Sequence, residues 1–174
     1  MKRTASALIE VDWRAGSWCD DSDPARSSPT MPKPRTPTIF TTPQDAALAF
    51  YQAFEAKEID AMMAAWAEDE DIVCVHPGGP RLVGFDAVRL GWEQLFAGDT
   101  KLSFRLDEIV VLETVGMAYQ SAIEEVTVGS DAKPRGIAIA TNVFLRTPSG
   151  WRLVVHHASP APALALAHPI GPLH

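Results

Sequence analysis

Residues 137–159, IAIATNVFLRTPSGWRLVVHHAS, decide the fold. Two β-branched and aromatic runs flank Thr147-Pro148-Ser149-Gly150, whose proline and glycine force the chain to turn, so the stretch is a pair of antiparallel strands. Working upstream, segments near 101–113 and 117–128 have the same composition and are bounded by Gly, Pro, Ser and Asp. With 135–146 and 151–159 they make a four-strand meander. Before them come helical signals. Thr42 caps Pro43 at the first helical position, and Leu48, Tyr51 and Phe54, with Ala47 and Phe50, recur on one face as far as Lys57. A short helix from Ile59 to Ala67 follows, with Ile59, Met62, Met63 and Trp66 on its buried side. Ile72 to Val75 is too short and too β-branched for a helix, and His76-Pro77-Gly78-Gly79-Pro80 stops it in a turn. A third helix spans Phe85 to Phe96, with Phe85, Val88, Trp92 and Leu95 on one side. Helices first and an antiparallel sheet afterwards predict an α+β domain, three helices packed on a curved sheet that encloses a cone.

The 174 residues and 47% hydrophobic content suit one domain with a real core. The expected organisation is a disordered leader over 1–41, the cone over 42–160 and an extended tail over 161–174. The leader holds five prolines from Pro24 to Pro37 and no apolar period, and Met31 is a candidate start of translation. Net charge is −7 and the 15 Lys and Arg are scattered, which argues against nucleic acid as a partner. No apolar run approaches the roughly 20 residues of a membrane span, and Glu10, Asp12 and Arg14 interrupt any signal peptide, so a cytoplasmic protein is expected. Cys19 and Cys74 are too few for a disulfide framework, and Cys74 is expected in the core. Nothing in the sequence spells a cofactor, phosphate or serine-nucleophile motif, and the adjacent His156 and His157 point oppositely, so no metal and no cofactor are expected.

Several pieces, taken in order, resemble the SnoaL-like branch of the nuclear-transport-factor-2-like superfamily, whose fold is also called cystatin-like. They are FYQAFEAKEID at 50–60, Trp66-Ala67-Glu68-Asp69, His76-Pro77-Gly78-Gly79, Gly84 to Phe96 with Trp92, Ala140-Thr141-Asn142-Val143-Phe144, and Trp151 to Ser159. The last two also resemble the association domain of calcium/calmodulin-dependent kinases, a non-catalytic assembly module. The resemblance thus implies the fold and two functions: an isomerase or cyclase acting on a small apolar or aromatic carbonyl compound, or a non-catalytic binding or assembly module.

His76 ends a strand before a glycine turn, and the resemblance aligns His76-Pro77 with the Asp-Pro of ketosteroid isomerases. An imidazole there could shuttle a proton. Strand alternation puts Trp151, Leu153, Val155, His157 and Ser159 on one face and Arg152, Val154 and His156 on the other. The resemblance turns the His157 face inward. Thr141 shares its face with Ile137, Ile139, Val143 and Leu145. The catalytic candidates are therefore His76, His157 and Thr141. Isomerases of this fold have an acid at the place given to Thr141 and a tyrosine at that given to Phe50, so both oxyanion donors are expected to be missing. Trp66, Trp92, Tyr51 and Tyr119 are the candidate ligand lining. One of Glu124 and Glu125 must face inward, and the alternation leaves open which. Phe144, Val154, Ala138 and Ala140 fall on the outer face, too apolar for water, which predicts a homodimer through the sheet.

Overall fold

The computed structural model describes residues 38–99, 101–129 and 136–161. The expectations for the leader before residue 38 and for the tail after 161 lie outside the described residues.

Helix α1 is Pro43–Ala56, α2 Ile59–Ala65 and α3 Phe85–Phe96; the strands are β1 Val73–Val75, β2 Arg81–Val83, β3 Leu102–Glu113, β4 Met117–Val128, β5 Gly136–Thr147 and β6 Gly150–Pro160. The Thr42 cap is a full capping box: its hydroxyl accepts from the Asp45 amide, and Asp45 accepts from the Thr42 amide. Lys57, in the left-handed conformation, ends α1 and turns the chain directly into α2. The six strands form one sheet in the order β2-β1-β6-β5-β4-β3, antiparallel except where β1 runs beside β6. The α+β expectation stands, and the meander is β3 to β6. The short strand β2, following the glycine turn, has no counterpart in the sequence reading.

Two details decide which side chains face the helices. The pairing of β5 with β6 slips between Val143↔Val155 and Phe144↔Leu153, leaving Val154 as an extra residue. Simple alternation therefore fails along β6: Trp151 and Leu153 are buried before the bulge, and His156 and Ala158 after it. His157 is exposed. On β5 the inward residues are Ala138, Ala140, Asn142 and Phe144, all buried, and on β4 they are Ala118, Gln120, Ala122 and Glu124. This corrects the sequence expectation for β5, because a one-residue offset exchanges the two faces of a strand. Phe144 belongs to the main core with Phe50, Trp66, Trp92 and Leu153, and Ala138, Ala140 and Ala158 form a small cluster of their own. The helix reading needs one change too: Leu48, expected on the core side of α1, is 59% exposed.

Candidate functional site

The inner surface of the sheet holds a line of polar side chains inside an aromatic shell. Tyr51 comes from α1, Gln120 and Glu124 from β4, Asn142 from β5 and His156 from β6, all buried. The Tyr51 hydroxyl donates to Glu124 Oε1 at 2.7 Å and accepts from Asn142 Nδ2 at 3.1 Å. Asn142 Nδ2 also donates to Gln120 Oε1 at 3.2 Å. Since the Asn142 amide nitrogen is spent on these two, its Oδ1 faces His156 Nδ1 at 2.7 Å, so that nitrogen bears the proton and donates. Hydrogen-bond donation thus runs one way, from His156 through Asn142 and Tyr51 to Glu124.

Phe50 is the hub of the shell, with its ring against Tyr51, Trp66, Trp92 and His156 at centroid distances of 5.0, 6.3, 5.5 and 5.0 Å. His76 lies edge-on to Trp92 at 4.4 Å and near His156 at 6.3 Å, with its Nε2 3.4 Å from Cys74 Sγ. Among the described residues the buried side-chain donors without a partner are the indole N–H groups of Trp66 and Trp92.

Burial sets the protonation states. It pushes the Glu124 carboxyl up to about 7, against the opposing effect of the Tyr51 hydrogen bond. Tyr51 is raised by burial and by the neighbouring Glu124 charge. Burial holds His76 down to about 4, and burial, with His76 and His157 nearby, holds His156 down to about 3. Both buried imidazoles are neutral at pH 7, and Glu124 is poised between its two forms.

The sequence candidates divide. His76, Tyr51, Trp66 and Trp92 lie in this interior. His76 is enclosed although it stands at a strand end, with its side chain only 7% exposed. Thr141 and His157 are register partners on the opposite face of the sheet, both exposed, and Tyr119 shares that face. The bulge at Val154 is what carries His157 outward. His76 and His157 therefore do not converge on a common ligand. Of the two carboxylates Glu124 faces inward, while Glu125 faces outward and pairs with Arg105 at 2.6 Å. Sequence reasoning missed Asn142, Gln120 and His156. The residues next to Phe50 and Thr141, Tyr51 and Asn142, face this interior, and their donors are already used within the line, the Tyr51 hydroxyl by Glu124 and the Asn142 amide by Tyr51 and Gln120. Cys74 is buried as expected. A crevice of about 10 Å³, enough for about one water, lies between Pro43, Val111, Phe144 and Gln120, so it touches the end of the polar line. Among the described residues no cluster of three metal-ligating side chains occurs, and no helix is long and apolar enough to cross a membrane.

Comparison with known proteins matches residues 44–163 to the SnoaL-like domain model. The chain belongs to the SnoaL-like domain family. Among solved structures, this SnoaL-like domain is similar to a Thiobacillus denitrificans protein assigned as a calcium/calmodulin-dependent protein kinase type II association domain, with 38% identity and a TM-score of 0.65 over 72% of this chain and 99% of that one. It is also similar to a Streptomyces avermitilis protein of the NTF2-like family assigned as a dehydratase, with 33% identity and a TM-score of 0.61 over 68% of this chain and 92% of that one. A third match, the F-box protein SKIP8 of Arabidopsis thaliana, is 23% identical over 110 residues, 63% of this chain. The SnoaL-like chain spans 46% of that relative's length.

Proposed function

We propose that this SnoaL-like domain moves a proton next to the carbonyl of a small apolar or aromatic compound, which reaches the interior polar line only when the aromatic shell around Phe50 opens, because the crevice beside that line holds about one water as the structure stands. The observation that carries this reading is the buried line His156-Asn142-Tyr51-Glu124, which ends in a carboxyl poised near neutrality. A structural core has no need of five buried polar side chains, and each adds a desolvation cost that packing alone would avoid. A carboxyl near 7 is suited to take and return a proton at physiological pH. In this reading Glu124, rather than His76, is the acid/base group, since His76 is held well below neutrality and beside a thiol. The unpaired Trp66 and Trp92 N–H groups offer donors for a ligand oxygen.

The test is α-proton exchange of 2-tetralone in D2O, followed by NMR. Wild type should accelerate exchange over buffer, with a rate that rises through pH 7 as Glu124 ionises. Glu124→Gln should slow it by about 100-fold or more. Equal rates for the two proteins, or a wild type no faster than buffer, overturn the reading. The second reading is a non-catalytic assembly module, favoured by the exposed apolar residues on the far side of the sheet and by the likeness to a protein assigned as an association domain.

A further inference from the structure

The inner face of the sheet changes character one step beyond the polar line. Gln120, Asn142 and His156 stand opposite one another on β4, β5 and β6, and the next inward row across the same strands is Ala122, Ala140 and Ala158. The row after that is Glu124, Ala138 and Pro160. Tyr51 reaches from Asn142 to Glu124 and so lies along β4 and β5. Towards β6, Ala138, Ala140 and Ala158 form a cluster separate from the main core, which holds the apolar side chains of the helices. Among the described residues no other hydrophobic side chain packs on that cluster. Yet its three methyl groups are at most 3% exposed. A methyl group on a sheet face is shut off from water to that degree only when a further layer lies over it.

We propose that the C-terminal segment around Leu164 and Leu166 is that layer, folded back from β6 over the alanines. The place where the chain leaves the sheet selects the segment. β6 ends at Pro160, in the row of Ala138 and Glu124, and the Ala161 amide still donates to the Ile137 carbonyl. Residues from 162 onward therefore set out within two strand spacings, about 10 Å, of Glu124. Leu164 is four residues past Pro160, a reach of about 13 Å, which is enough to return over Ala158 and Ala140. The described chain begins at Thr38, whose carbonyl is held by Arg152 near the opposite end of β6, about 26 Å away at about 3.3 Å per residue. The C-terminal segment is thus the nearer of the two. Composition agrees with the choice. Pro162-Ala163-Leu164-Ala165-Leu166-Ala167 has no polar side chain, and Pro162 has no amide with which to continue the ladder. Large and small residues alternate along it, so an extended chain turns both leucines to one side. Leucines above a floor of alanines interlock, the large side chains filling the depth that the small ones leave. The match to the family ends at residue 163, so this contact belongs to the present chain. Where Glu124 carries the proton, as proposed above, the segment also shields its carboxyl from water, since Glu124 stands beside Ala138. That consequence rests on the reading of Glu124, and the docking itself does not.

The experiment is methyl NMR of the full chain, with alanine and leucine methyl groups isotope-labelled and assigned by single substitutions. In wild type, nuclear Overhauser cross-peaks should join Leu164 and Leu166 to Ala138, Ala140 and Ala158, and a soluble nitroxide should leave those three alanine methyls sharp. In the double variant Leu164→Asp with Leu166→Asp the nitroxide should broaden all three. Ala46 and Ala65, in the main core, report whether the variant is folded, by keeping their wild-type shifts. A wild type without the leucine cross-peaks overturns the proposal whatever the variant does. Cross-peaks to the three alanines from residues 1–37, or from a separately labelled second copy of the chain, in place of those from Leu164 and Leu166 overturn it too. So does a folded double variant whose alanines stay as protected as in wild type. These readings hold whether or not Glu124 transfers protons, which 2-tetralone exchange reports separately.

Discussion

Asn142 is the residue on which the interior line depends. It donates to Tyr51 and Gln120 and accepts from His156, joining strands β4, β5 and β6 to helix α1 through one carboxamide. Each partner is buried, so removing Asn142 leaves buried donors and acceptors without their protein partner. Asn142→Ala should destabilise the fold by about 3 kcal/mol, read from urea denaturation, and should also loosen the hold on Tyr51 and hence on Glu124. A loss below about 0.5 kcal/mol would show that the line is not a cooperative unit. His76 teaches a related lesson. It ends a strand beside a glycine turn, yet it packs on Trp92 and is buried. His76→Ala therefore leaves a cavity, and a loss of activity in that variant counts for a catalytic histidine only when its stability has been shown to be unchanged.

At the scale of elements, the junction of β5 and β6 fixes what the sheet presents. Gly150, in the hairpin, has φ +98°, and a Cβ there would lie 2.5 Å from the Phe40 carbonyl oxygen, a backbone atom that cannot swing aside. That close approach lets the Trp151 amide donate to the Phe40 carbonyl at 2.8 Å and lets Arg152 stack on the Phe40 ring at 5.0 Å while bonding the Thr38 carbonyl. Gly150→Ala should cost about 2 to 4 kcal/mol and release the segment before α1, seen as faster hydrogen exchange at Trp151 than in wild type. Unchanged protection there would mean that the segment is held elsewhere. The same hairpin shows what a sequence discloses. The α1 start was legible because Thr42, Pro43 and Asp45 act within one turn of each other, and α3, which has no side-chain cap at Gly84, because Phe85, Val88, Trp92 and Leu95 recur at helical spacing. The strands were legible as strands, since composition is local. Their faces were not, because the extra residue at Val154 arises only from pairing with β5, and alternation read through it assigns His157 to the interior in place of His156. Asn142 went unnoticed because nothing in the sequence says which of the neighbours Thr141 and Asn142 faces the helices. Tyr51 was found because helical spacing survives without any knowledge of partners, and its bonding to Glu124, 73 residues away, had no local signal at all.

Over the whole molecule, the buried titratable groups pull stability in opposite directions with pH. His76 and His156 have native values near 4 and 3, below the 6.5 of an unfolded histidine, so their neutral burial supports the fold above pH 6.5 and is lost as pH falls through those values. Glu124 is the reverse case: its native value near 7 lies above the unfolded 4.5, so its contribution is present below 4.5 and is lost as pH rises through 7. Between pH 4.5 and 6.5 the unfolded chain thus holds about two more protons on the histidines and about one fewer on Glu124, a net uptake of about one proton on unfolding. Stability from these three groups should rise by about 1 kcal/mol per pH unit through the middle of that window and level off near pH 7, where the histidine and Glu124 contributions cancel. Glu124→Gln removes the opposing group. Its net uptake should be about two protons, its slope about twice as steep, and at pH 8 it should be more stable than wild type by up to about 3 kcal/mol, the cost of holding a carboxylate in that interior. The difference between the two proteins cancels every other titrating group, so urea denaturation of both at pH 5, 6, 7 and 8 isolates Glu124. Parallel stability curves would mean that its carboxyl ionises as it does in water, and with that the argument for Glu124 as the proton carrier would fall.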